Sequence, residues 1–123
     1  MNPQEVFLRL NTTDLSTSME ARIKKAILSC DLVSREIVFS SNESIKNLRV
    51  EQEVRLNSTL VEKHSFRFGF VIPGSTNTWE QTFSAAEGRI SDPDLLSGNL
   101  EILITFSDGN KLIKRVSLAV YYV

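Results

Sequence analysis

The sequence predicts an all-β chain folded as an antiparallel β-sandwich of immunoglobulin-like type, on three observations. Apolar residues recur at every second position in several runs. Turn-forming residues separate those runs at short intervals, and no stretch carries a broad helical stripe. The 123 residues suit one domain spanning 1–123, and a chain of this size buries about two thirds of the surface its unfolded form exposes.

Taken in order, EVFLRL at 5–10 reads equally as a short strand or a helical turn, and the polar NTTDLSTS after it as a loop. In MEARIKKAILSC, 19–30, only Ile23, Ile27 and Leu28 fall on a helical stripe, too thin to pack a helix, so an irregular strand is the preferred reading. From Val33 the alternation is clear, with Val33, Ile37 and Phe39 on one side, until the turn-prone SSNES. Leu48, Val50, Val54 and Leu56 then share a face opposite a largely charged one, as in a half-buried antiparallel strand.

After Asn57–Ser58 the chain returns as LVEKHSFRFGFVIP, and the two runs predict a hairpin. Phe66, Phe68, Phe70 and Ile72 fall on one extended face there, and that much apolar bulk requires a cover, either the core or a ligand. Gly69 inside the run predicts a bulge or close backbone packing. Residues 74–99 read as a long connection holding Trp79 and Phe83, with one helical turn near TFSAAE, and Trp79 as a core or loop anchor. Leu100, Ile102, Ile104 and Phe106 alternate up to Asp108–Gly109, a two-residue hairpin signal. Leu112, Val116, Leu118, Val120 and Tyr122 share one face of the last strand.

Composition removes several classes of function. With 14 Lys+Arg against 15 Asp+Glu the formal charge is -1, so no long-range field recruits nucleic acid or an anionic membrane. Cys30 is the only cysteine and the N-terminus has no signal-like apolar run, so a reducing, cytoplasmic home is expected and the sequons at Asn11, Asn42 and Asn57 should stay unmodified. No segment approaches the roughly 20 apolar residues that span a bilayer. One histidine, His64, and one cysteine provide no metal-ligand spacing. Gly69 and Gly74 belong to no phosphate-cradling loop, and the carboxylates are scattered rather than paired. No cofactor, metal or catalytic residue is expected, and no enzyme.

Polar residues at positions that the alternation assigns to the apolar side are more informative. Arg35 lies between Val33 and Ile37, Gln52 between Val50 and Val54, Glu62 upstream of His64 and Phe66, and Tyr122 at the end of the Leu118–Val120 face. A buried charge without a partner costs several kcal/mol. Arg35 and Glu62 therefore either pair at the sandwich rim or sit where a polar ligand group reaches them. An apolar cleft with a few convergent polar groups is the usual anatomy of a small-molecule site.

The segments EAR (20–22), KK-IL-C (24–30), VSRE (33–36), FSS (39–41), R-EQ-V (49–54), FGFVIP-STNTW (68–79), SGN (97–99) and the terminal YV occur in order. In them the chain resembles the delta-subunit family of the rod cyclic-GMP phosphodiesterase, prenyl-binding proteins related to fatty-acyl carriers and to the Rho guanine-nucleotide dissociation inhibitors. The resemblance implies a non-enzymatic sandwich whose sheets admit a farnesyl or geranylgeranyl chain in a hydrophobic lipid pocket between them. The implied cargo is prenylated proteins, such as Ras- and Rab-type GTPases and phosphodiesterase catalytic subunits, with release triggered by GTP-bound Arf-like GTPases. It further implies a monomer that is cytoplasmic, with the cilium as a second location. The family's polar contacts fall on Arg35, Gln52, Glu62 and Tyr122. Its lipid-lining positions fall on Ile27, Cys30, Val33, Ile37, Val54, His64, Phe66, Leu96, Ile102, Ile104, Phe106, Leu118 and Val120, and His64 stands where the relatives carry an aromatic residue. Set against that family, the chain begins at Met1 near the second strand, without the N-terminal helix and first strand, so a pocket shorter or open on one side is expected. An acyl-chain carrier and a closed-core interaction module are the competing expectations.

Overall fold

A computed structural model describes residues 4–11, 16–29, 32–84 and 92–123, with side chains from Ser18 onward. The described chain forms eight strands, β1 (Gln4–Asn11), β2 (Ser16–Ile23), β3 (Leu32–Ser40), β4 (Ile45–Leu56), β5 (Thr59–Val71), β6 (Thr76–Ser84), β7 (Leu100–Asp108) and β8 (Lys111–Tyr122). Its helical elements are a 3-10 turn at Lys25–Ser29 and α1 (Pro93–Leu96). The strands make two sheets, ordered β1-β3-β6 and β2-β8-β7-β4-β5. The predicted all-β sandwich is therefore present, with two parallel edge pairings, β1 on β3 and β2 on β8, added to an otherwise antiparallel scheme.

The main core lies between the sheets. Ile37 and Phe39 of the smaller sheet pack with Leu48, Val50, Ile104, Phe106, Val116 and Leu118 of the larger, and each such side chain contributes about 1.5–3 kcal/mol on leaving water. At the β4–β5 hairpin both Asn57 (φ 49°) and Ser58 (φ 69°) adopt the left-handed conformation that a two-residue turn with right-handed twist requires. The β7–β8 loop is Gly109–Asn110, with Asp108 paired to Lys111. There the Asp108 carboxylate accepts from the Asn47 backbone N–H at 2.9 Å, tying the hairpin to the start of β4.

Of the two readings of residues 5–10, the structure has the strand, within β1. Several other expectations are corrected. The 19–30 segment is strand only to Ile23 and then a 3-10 turn, because its end wraps over the end of the larger sheet: Lys25 N–H donates to the Val123 carbonyl at 3.0 Å. The long connection contains a full strand, β6, in which Asn77, Trp79, Gln81 and Phe83 alternate with exposed Thr76, Thr78, Glu80 and Thr82. Thr82–Ser84 are thus strand, not a helical turn; the rest of TFSAAE lies outside the described residues. The short helix forms instead at α1, where Asp92 caps it by accepting from the Asp94 N–H at 2.9 Å.

The phenylalanine face of β5 does not run straight through. The β4–β5 ladder slips on both sides of Gly69, whose φ of +100° is open to glycine and costly for other residues. Phe66 and Phe68 face the core, but past the bulge Val71 is the buried residue, and Phe70 and Ile72 are 59% and 62% exposed. A second slip does the same to β8. Ser107 pairs with Leu112 and Phe106 with Lys114, leaving Ile113 as the extra residue. Leu112 is therefore exposed rather than sharing the inward face of Val116–Val120, and Lys114 is buried opposite Phe106.

Candidate functional site

The sandwich has two unlike ends. At one, carrying the β3–β4, β5–β6 and β7–β8 turns, the main core is sealed by Ile45, Leu48 and Val71. At the other, carrying the β4–β5 turn, α1 and the C-terminus, a separate apolar cluster of Val54, Leu96, Leu100 and Val120 gathers half-buried Ile23, Leu28, Leu56, Ile102 and Tyr122. Among the described residues this second cluster draws on the larger sheet, the 3-10 turn and α1. Its half-buried members, with exposed Leu60, Val61 and Leu95 beside them, make this the more open end of the sandwich.

Between the two ends lies a polar crossbar. Arg35 of β3 is 6% exposed. Its Nη1 donates to Oε1 of Gln52 on the opposite sheet, and its Nη2 and Nε (the latter at 3.1 Å) both donate to Oε1 of Gln81 on β6. Strand register puts these groups together: Arg35 and Gln81 are cross-strand partners, and Gln52 sits at the inward position between Val50 and Val54. The guanidinium also stacks over the Phe83 ring, 4.9 Å from its centroid. Burial pushes it down to about 10, so it stays charged at neutral pH. The rim pair between Arg35 and Glu62 is not formed; the cation rests on neutral amides and an aromatic face.

A column of aromatics closes the side where β5 of one sheet lies over β6 of the other. Phe68 meets Phe39 and Trp79 edge-on at 5.1 and 5.2 Å, Phe66 meets Phe83 at 5.3 Å, and His64 meets Phe83 at 5.2 Å. Trp79 is thus a core anchor, as expected, but on a strand.

The predicted site residues divide between these regions. Arg35 and Gln52 meet directly. Glu62 and Tyr122 lie apart from them near the open end, coupled to each other electrostatically: burial and then the Glu62 charge raise the Tyr122 phenol above its ordinary value. Ile37, Ile104, Phe106 and Leu118 are inside the sealed core. Val54, Leu96 and Val120 form the open-end cluster, and Ile102 packs against both. Val33, His64, Phe66 and Ile27 are half-buried, Val33 across from Phe83 and Ile27 in the 3-10 turn. Cys30 lies outside the described residues. Gln81 and Phe83 join the site although their stretch reads as loop in the sequence; the alternation Trp79–Gln81–Phe83 between threonines was the signal. The buried Lys114 was legible by the same rule, since it keeps the phase of Val116, Leu118 and Val120; the bulge at Ile113 displaces Leu112 instead.

A cleft of about 240 Å³ at the sealed end, lined by residues 41–45 with Asp108, Lys111 and Ile113, contains none of the predicted residues. Among the described residues no cluster of three His, Cys, Asp or Glu could hold a metal, and no helix is long and apolar enough to cross a membrane.

The raised Tyr122 phenol gives a measurable pH dependence. A phenol whose folded value exceeds its unfolded one adds stability below the unfolded value of about 10 and loses it as pH rises through the folded value. Stability is expected to fall above about pH 10. Ultraviolet titration of Glu62→Gln should show phenolate forming at lower pH than in wild type; an unchanged titration curve would contradict the coupling.

Residues 3–122 match the family model described as GMP-PDE, delta subunit, a family of binding subunits rather than catalytic ones, and the chain belongs to that family.

Proposed function

We propose that this protein binds the farnesyl or geranylgeranyl tail of prenylated proteins between its sheets, entering from the end of Leu96, Leu100 and Val120, and carries them between membranes through the cytoplasm. The observation that supports this most is the Arg35 crossbar: a buried cation held by Gln52 and Gln81 between the sheets, next to the apolar cluster of the open end. Family membership supports it independently. The cargo's terminal cysteine reaches Arg35 and Gln52, and its tail packs beside the crossbar against Val33, Val54, Ile102 and Val120 with His64 and Phe66 on its flank. Glu62 and Tyr122, nearer the open end, face the residues before the cysteine. Burying a tail of roughly 15 carbons at about 0.8 kcal/mol per methylene is worth on the order of 10 kcal/mol before ordering costs, enough to compete with membrane anchoring. Because Ile37 and Ile104 are fully buried, the tail takes its space by parting the sheets at the open end rather than by refilling the sealed core.

The cargo is of the Ras- and Rab-type GTPase or phosphodiesterase-subunit class, and GTP-bound Arf-like GTPases trigger release. Fluorescent farnesyl-cysteine methyl ester is expected to bind saturably, and Gln52→Ala to weaken it about tenfold by removing one polar anchor. An absence of saturable binding in wild type would overturn the proposal.

A further inference from the structure

Gln81 is 2% exposed and sits on the inward face of β6 between Trp79 and Phe83. Its Oε1 accepts twice from Arg35, through Nε and Nη2. Its Nε2 has no hydrogen-bond partner among the described residues. The orientation of this amide is not arbitrary: turning it over would set two donors, the amide NH2 and the guanidinium, against each other. The oxygen is therefore committed to Arg35, and the NH2 is left as a buried donor without an acceptor among the described residues. Leaving such a group unpaired costs about 1–3 kcal/mol, and buried polar groups in folded proteins almost always find a partner. The amide and the guanidinium it holds are both donors, so what satisfies them is an acceptor.

We infer that Gln81 is a specificity-determining residue, which steadies Arg35 through its oxygen and donates through Nε2 to a carbonyl oxygen in the head group of the bound amphiphile. The inference rests on the prenyl-binding reading above and adds to it a head-group requirement set from β6. It assigns to one residue two separable tasks. Gln81→Glu keeps an acceptor on Arg35 and removes the donor, and Gln81→Met removes both at similar volume.

The test compares two competitors of equal tail, farnesyl-cysteine methyl ester and farnesyl ethyl thioether, which has no carbonyl. Wild type is expected to bind the ester more than tenfold more tightly than the thioether, with the Gln81 hydrogen bond contributing about tenfold of that ratio. In Gln81→Glu the ratio should fall about tenfold while the melting temperature stays at or above that of wild type. Gln81→Met should lower the ratio as much or more, with a lower melting temperature. A ratio that survives in Gln81→Glu overturns this role for Gln81 and leaves the prenyl-binding reading standing. Failure of wild type to bind either compound overturns both.

Discussion

Replacing Arg35 by leucine is expected to cost about 2–4 kcal/mol of stability and more than tenfold in affinity for a prenyl-cysteine ester. The stability loss arises because Oε1 of Gln52 and Oε1 of Gln81 both lose their donor in the interior, each at about 1–3 kcal/mol. The stacking of the guanidinium on Phe83 is lost with it. The triple variant Arg35→Leu, Gln52→Leu, Gln81→Leu separates structure from binding. Exchanging a complete buried polar network for apolar groups of similar size is often neutral or stabilising, so the triple variant should recover the stability of wild type and none of its ester affinity. Chemical denaturation and probe titration read the two quantities. Recovery of both by the triple variant would mean that the crossbar only fills space.

The second large effect belongs to the sealed core. Ile104 is fully buried on β7, between Gln52 of β4 and Val116 of β8 in the ladder. Ile104→Ala should cost about 2–5 kcal/mol, the removed methyl groups plus the cavity left behind. Phe70→Ala, although it deletes a larger side chain, should stay within about 0.5 kcal/mol because Phe70 is exposed beyond the Gly69 bulge. A loss at Phe70 comparable to that at Ile104 would show that β5 keeps an unbroken register through Gly69.

Those two residues also mark what the sequence could reveal. Strict alternation in β4 and β7 placed Val50, Val54, Ile104 and Phe106 inward, and each is buried. The same rule misplaced Phe70, Ile72 and Leu112, because alternation carries phase only as far as the next bulge. A glycine hints at the slip on β5, but nothing at Ile113 signals the one on β8. The polar residues that interrupted the apolar faces were legible for the same reason that they matter. Arg35 and Gln52 stand at inward positions, and the structure joins them directly. Their third partner was hidden, since Gln81 lies in a run whose turn-rich flanks and lone tryptophan outweigh its period. Which strand opposes which across the sandwich is not written in any one run, so the sequence leaves Arg35 either paired with Glu62 or facing a polar ligand group, when its acceptors are amides of β4 and β6.

The most direct measurement is a methyl NMR titration of the protein with farnesyl-cysteine methyl ester. If the tail enters at the open end, the methyl signals of Leu28, Val54, Leu96, Ile102 and Val120 shift saturably, and those of Ile45, Leu48 and Val71 at the sealed end stay in place. Saturable shifts confined to Ile45, Leu48 and Val71, or no saturable shift at all, would contradict a prenyl site at the open end.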